Sequence, residues 1–99
     1  MKKQNSQDGW KGFLSLCSEI ESPAALDQFF ELLLTYEERE TLASRYLIIK
    51  ALLEGGLTQR EISEIFKVSI AQITRGSNAL KIISPQLKNS LLSKLQKIK

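Results

Sequence analysis

The sequence of 99 residues has no histidine, a single cysteine and a single valine. Without histidine there is no His-based catalytic triad, general base or zinc site. One cysteine forms neither an internal disulfide nor a multi-thiolate metal site, so we expect a reducing, cytoplasmic setting. No paired carboxylates, phosphate loop or metal-ligand spacing is present, so we do not expect an enzyme or a cofactor.

Long hydrophobic runs are also missing. The longest strictly apolar runs, such as Leu32-Leu33-Leu34 and Leu47-Ile48-Ile49, are three residues long. A helix that spans a bilayer needs about 20 apolar residues. We therefore expect no membrane segment.

Acidic residues are absent from the last third of the chain. Residues 65–99 hold seven basic and no acidic side chains, whereas residues 1–64 hold seven basic and eleven acidic ones. The net charges of +7 and −4 add up to the total of +3. Such asymmetry predicts a polyanionic partner, and the alternative is a solvated lysine tail.

The apolar residues that are present favour helices over strands. Sixteen Leu and ten Ile stand against the one Val, and their spacing is that of amphipathic helices. We expect one all-α domain over residues 1–99, with residues 1–8 flexible. The six predicted helices cover residues 9–21, 26–34, 36–54, 59–66, 70 to 81 or 83, and 85 onward.

Capping signals set most of these boundaries. Gly55-Gly56 is expected to end the long helix, since glycine adopts the left-handed cap without steric penalty. Ser22-Pro23 is expected to stop the first helix. The N-terminal signals are the pairs Thr35/Glu38, Thr58/Glu61 and Ser69/Gln72, together with Ser84-Pro85.

The long helix over residues 36–54 is apolar on more than half of its circumference. A chain of 99 residues has little other core to cover those side chains. We infer a homodimer in which these faces meet. The alternative is a compact monomer that wraps this helix completely.

Residues 58–77 have the pattern of a helix-turn-helix, with a three-residue turn at Lys67-Val68-Ser69. The apolar positions Ile62, Phe66, Val68 and Ile73 fit its internal packing, and Ser63 is small enough for a close helix crossing. Many such units have glycine where this chain has Lys67, because φ is often positive there. Either the turn differs slightly, or a strain of about 1 kcal/mol is tolerated.

We expect the segment over about residues 58–81 to bind double-stranded DNA. Short or polar side chains begin its second helix and could enter a major groove, and Arg60 and Lys81 flank it where cations could meet phosphate. The candidate contacts are Gln59, Arg60, Ser63, Ser69, Ile70, Ala71, Gln72, Thr74 and Lys81.

Three segments resemble the Trp repressor family of bacteria: LTYEERETL over residues 34–42, GLTQREI over residues 56–62 and ITRGSNALK over residues 73–81. The resemblance covers roughly residues 30–92 and implies a six-helix, intertwined homodimer. It implies L-tryptophan as corepressor, a palindromic operator as DNA partner, and repression of tryptophan biosynthesis or salvage genes.

The resemblance also implies a tryptophan site. Arg45 and Arg75 would sandwich the indole ring, and Arg75 would meet the ligand carboxylate near Thr35 of the other chain. The full set of implied ligand contacts is Leu32, Leu34, Thr35, Arg45, Ile49, Arg75, Gly76 and Ala79. The alternatives are a surface ion pair for Arg45, with Glu38 or Glu40, and a helix–helix contact for Gly76.

Two positions depart from the family pattern. Ala79 stands where the family usually has a serine that helps to hold the ligand ammonium group, so we predict weaker discrimination against analogues without that group. Ser63 stands where the family often has lysine. Two other functions stay open. Ala79 leaves open a regulator of the same superfamily with a different effector or none, and the other alternative is a protein-interaction module in which the helix-turn-helix is only a scaffold and the lysine-rich tail binds an acidic partner.

Overall fold

The structure, a computed structural model of the single chain, describes residues 5–98. The expectation of a flexible N-terminus falls partly on residues 1–4, which lie outside the described residues. Within residues 5–98 the chain is all-helical, as predicted. The six helices are α1 (Ser6–Glu19), α2 (Pro23–Leu33), α3 (Tyr36–Glu54), α4 (Gln59–Phe66), α5 (Ile70–Lys81) and α6 (Pro85–Lys97).

The predicted bounds of α1 were wrong at both ends. A capping box starts the helix at Ser6: the Asn5 side chain accepts from the Asp8 backbone N–H at 2.9 Å, and the Asp8 carboxylate accepts from the Asn5 N–H at 3.3 Å. The helix ends at Glu19, before the expected stop at Ser22-Pro23. Ser22 instead caps α2, and Pro23 is the first residue of that helix.

The predicted start of α2 at residue 26 was also wrong, because the Ser22 cap begins this helix at Pro23. The boundaries at Gly55-Gly56, Thr58, Ser69 and Ser84 agree with the capping signals, and the cap pair Thr35/Glu38 stays a prediction. Gly55 and Gly56 follow the end of α3 with φ values of 73° and 93°, which only glycine adopts without strain. Thr58, Ser69 and Ser84 each accept a hydrogen bond from a backbone N–H in the first turn of the helix that follows. These caps satisfy donors that a helix cannot satisfy by itself.

The chain forms two compact units, Met1–Tyr36 and Glu37–Lys99. In the first unit, the rings of Trp10, Phe13, Phe29 and Phe30 form a cluster in which neighbouring ring centroids lie 5.4 to 6.2 Å apart. No side chain of α1 or α2 is buried. Between residues 5 and 36 the first unit therefore has an aromatic cluster but no closed core.

The second unit has a small closed core. Its buried members are Ile48 and Ala51 of α3, Ile62 of α4, Val68 of the turn and Ile73 of α5, and Phe66 packs against them. Full burial of one isoleucine side chain contributes about 1.5–3 kcal/mol. The packing predicted for α4 and α5 from Ile62, Phe66, Val68 and Ile73 is thus confirmed.

The turn between α4 and α5 keeps the geometry that usually calls for glycine. Lys67 has φ 55° and ψ 48°, in the left-handed region. The Ser63 hydroxyl donates to the Val68 carbonyl at 2.6 Å, and the Val68 N–H donates to the Ser63 carbonyl at 3.3 Å. The strain at Lys67 is therefore tolerated. The two hydrogen bonds between Ser63 and Val68 connect the turn to α4.

Candidate functional site

A cavity of about 290 Å³ lies between α3 and α5 in the second unit. Its volume is near the lower end of the roughly 300–1,000 Å³ typical of small-molecule sites. The cavity is lined by Thr41, Arg45, Ile48, Ile49, Gln72, Arg75, Gly76 and Ala79.

Helical periodicity explains why these residues share one cavity. On α3 the lining residues recur at positions 41, 45, 48 and 49, and on α5 at positions 72, 75, 76 and 79. Residues three, four and seven apart lie on one face of a helix. The same spacing, counted from Arg45 and Arg75, would have identified Thr41, Ile48 and Gln72, which the sequence analysis did not assign to the cavity.

Arg45 of α3 and Arg75 of α5 both line this cavity, so each helix contributes one arginine to it. Both residues are exposed. Within residues 5–98, neither arginine forms an ion pair, so the alternative pairing of Arg45 with Glu38 or Glu40 is not observed. Both planes are thus available to an aromatic ring or a carboxylate.

Gly76 allows α5 to approach α3 closely. A Cβ atom at this position would lie 2.9 Å from Cγ2 of Ile48 and 3.5 Å from Cδ1 of Ile49. The alternative reading of Gly76 as a helix–helix contact is therefore correct. Gly76 also lines the cavity, because the same close approach forms its wall.

The polar groups of the cavity are arranged along its two helices. The Thr41 hydroxyl donates to the Glu37 carbonyl at 2.9 Å, and the Gln72 Oε1 accepts from the Ser69 N–H at 2.9 Å. Ala79 contributes only a methyl group at the end opposite to Gln72 on α5. A ligand ammonium group near position 79 would find no hydroxyl there.

Three predicted ligand contacts belong to the first unit. Leu32 lies in the last turn of α2 and is 81% exposed, and Leu34 caps that helix with its N–H bonded to the Phe30 carbonyl at 2.8 Å. Thr35 follows directly. Carbonyls at a helix C-terminus favour a cation, and the assignment of these residues to the ligand stays a prediction.

The outer surface of α4 and α5 carries most of the predicted DNA contacts. Gln59, Ser69, Ala71, Gln72, Thr74 and Lys81 are exposed, and Ile70 keeps 48% of its surface. The Arg60 side chain is 88% exposed and forms an ion pair with Glu64 at 3.3 Å. Ser63 differs from the rest, since it is half-buried and its hydroxyl already donates to Val68.

Two other classes of site were sought in the part of the chain that the structure describes. None of its helices is both long and apolar enough to cross a membrane. In the same residues, no group of three or more Asp, Glu or Cys side chains comes together as metal ligands would.

Comparison with known proteins identifies the family. The family model described as Trp repressor protein matches residues 8–95. A Trp operon repressor homolog of Chlamydia caviae is 56% identical over 91 residues, which cover 92% of this chain and 90% of the relative. One from Chlamydia trachomatis serovar D is 56% identical over 89 residues, with 90% and 95% covered. One from Vibrio vulnificus is 40% identical over 91 residues, with 92% and 89% covered. The chain belongs to the Trp repressor family, whose members are transcription regulators and not enzymes.

Proposed function

We propose that the chain is a tryptophan-dependent transcriptional repressor. In this proposal a homodimer with bound L-tryptophan binds a palindromic operator in the cytoplasm and blocks transcription of tryptophan biosynthesis or salvage genes. The observation that carries the proposal is that Arg45 of α3 and Arg75 of α5 line the same cavity. The relatives, named as Trp operon repressor homologs, support the same function.

The cavity has the chemistry that an indole-bearing amino acid requires. A guanidinium plane stacks on an aromatic face by cation–π attraction, and Arg75 could also pair with the ligand carboxylate. Ile49 supplies an apolar wall for the ring. The carbonyls of Leu32 and Leu34 would accept from the ligand ammonium group, and Thr35 of the partner chain would lie near the carboxylate.

The helix-turn-helix in this proposal consists of α4 and α5. These helices pack through Ile62 and Ile73, both fully buried, so we expect them to move as one unit. The exposed start of α5 would enter the major groove, and Arg60 and Lys81 would meet phosphates. Because Arg75 and Gly76 also lie on α5, a ligand in the cavity contacts the recognition helix directly.

Exposed apolar surface supports the homodimer. A groove of about 330 Å³ between α3 and α6 is lined almost entirely by apolar atoms. Leu42 and Tyr46, which line this groove, remain 48% and 47% exposed. A second copy of the chain would cover these side chains. The helices α1 and α2, in which no residue is buried, also need such a covering surface.

The proposed mechanism is a shift between different arrangements of the two helix-turn-helix units of the dimer. A dimer contacts two half-sites only when its recognition helices are about 34–36 Å apart, one turn of DNA. Tryptophan that binds this arrangement more tightly than the others shifts the population toward it. Reciprocally, operator DNA then raises the affinity for tryptophan.

Fluorescence polarisation with a labelled palindromic duplex from the operator region, at fixed salt, tests the proposal. We expect binding that tightens at least tenfold with L-tryptophan, and no such change with a scrambled duplex. Operator binding whose affinity does not change with tryptophan would favour a regulator with another effector or none. Ala79 supports this second candidate. Absence of any sequence-dependent binding would contradict both.

A further inference from the structure

The capping boxes of α4 and α5 have the same geometry but different chemistry. In α4 the Thr58 N–H donates to the carboxylate of Glu61 at 2.8 Å. In α5 the Ser69 N–H donates to the amide oxygen of Gln72 at 2.9 Å. A carboxylate at this position is also stabilised by the helix dipole. The neutral side chain of Gln72 in α5 lacks this stabilisation.

Gln72 differs from Glu61 in what lies beside it. Gln72 lines the cavity together with Arg75, three residues further along the same helix face. A glutamate at position 72 would therefore form an ion pair with Arg75, since opposite charges three residues apart on a helix attract each other. In the structure, Arg75 has no ion pair with any residue between 5 and 98.

We propose that Gln72 is a positioning residue of the effector site: it caps α5 as glutamate would, and its neutral side chain leaves Arg75 available to the ligand. The inference rests on the proposed tryptophan site. Gln72 was predicted from the sequence as a DNA contact, and its place in the cavity gives it this second role. A carboxylate at position 72 would also repel the carboxylate of a bound amino acid.

Calorimetric titration of the full chain with L-tryptophan, without DNA, tests this role. Omitting DNA removes repulsion between a carboxylate at position 72 and phosphates. We expect Gln72→Glu to keep the cap, with Tm unchanged or raised, and to weaken tryptophan binding about two- to fivefold. The matched control is Glu61→Gln, which replaces the carboxylate in the capping box of α4 by a neutral amide. We expect this substitution to leave tryptophan binding unchanged.

Two further measurements separate charge from structure. The defect of Gln72→Glu is expected to shrink as KCl is raised from about 0.05 to 0.5 M, because an ion pair at this exposed position is screened. Gln72→Met, which is neutral but cannot cap, is expected to lower Tm more than Gln72→Glu and to weaken tryptophan binding less.

The outcomes distinguish this inference from the function on which it rests. A wild-type chain that binds no tryptophan overturns both. A wild-type chain that binds tryptophan, with Gln72→Glu binding equally well, overturns the role of Gln72 alone. The same conclusion follows if Gln72→Met loses as much affinity as Gln72→Glu, or if the defect is independent of salt.

Discussion

Gly76 of α5 faces Ile48 of α3 so closely that a Cβ atom on Gly76 would lie 2.9 Å from Cγ2 of Ile48. Ile48 is 2% exposed, and its Cγ2 is attached directly to Cβ, so this methyl group cannot swing aside. The contact therefore sets how near α5 approaches α3. Since both residues line the cavity, it also sets the width of the proposed ligand site.

Replacing Gly76 by alanine tests this contact. Alanine improves helix propensity by about 1 kcal/mol, but overpacking against Ile48 costs about 1–3 kcal/mol, so we expect a net loss of about 1 kcal/mol in the free energy of unfolding. In an Ile48→Ala background, which itself costs about 2–5 kcal/mol, Gly76→Ala should become stabilising. Denaturant unfolding of the four proteins gives the coupling. A stabilising Gly76→Ala in the wild-type background would contradict the close contact.

The left-handed conformation of Lys67, with φ 55°, makes a second prediction. Lys67→Gly removes backbone strain of about 1–2 kcal/mol from the folded chain. It also lowers the free energy of unfolding by about 0.5–1 kcal/mol, because glycine has more conformational freedom in the unfolded chain. We expect a net stabilisation of about 0.5–1 kcal/mol by chemical denaturation. Lys67→Ala is the control, because it removes the charge and keeps the strain. Equal effects of both substitutions would attribute the change to charge.

Arg75 and Arg60 are expected to separate effector binding from DNA binding. Arg75→Ala removes one side of the proposed clamp, so it should abolish the response to tryptophan while sedimentation still shows a dimer. Arg60→Ala should leave tryptophan binding intact, weaken operator binding and reduce its dependence on salt by about one phosphate contact. Normal tryptophan-dependent repression by Arg75→Ala would disprove the assignment of the cavity.

Ala79 leads to a prediction about ligand selectivity. Its methyl group cannot bond to a ligand ammonium group, which leaves only the proposed carbonyls of Leu32 and Leu34 to hold that group. The wild-type chain should therefore discriminate less between L-tryptophan and indole-3-propionate than a chain with serine at position 79. Ala79→Ser should restore preference for the amino acid by roughly 1 kcal/mol, the usual net value of one hydrogen bond. Calorimetric titration with both ligands measures this difference. A strong preference of the wild-type chain for tryptophan that Ala79→Ser does not increase would contradict this role of position 79.

Local chemistry made most of the fold predictable. Thr58, Ser69 and Ser84 begin helices as their side chains dictate, and Gly55 ends α3 with positive φ. The start of α1 was not predicted, because the apolar spacing of this helix begins only at Trp10. The capping pair Asn5 and Asp8 was present in the sequence but lay outside that spacing.

The site was less predictable than the fold. The resemblance identified Arg45 and Arg75, but packing decides what surrounds them. That Gly76 meets Ile48 depends on the distance between two helices, which no local pattern encodes. The hydroxyl of Ser63 is engaged by the Val68 carbonyl because of the turn geometry, and a sequence motif does not reveal such a bond.

The most direct test of the central claim is a crystal structure of the chain grown with excess L-tryptophan. We expect a dimer with the indole ring lying between the guanidinium groups of Arg45 and Arg75, against Gly76. An empty cavity, or tryptophan bound elsewhere while solution binding is saturated, would contradict it.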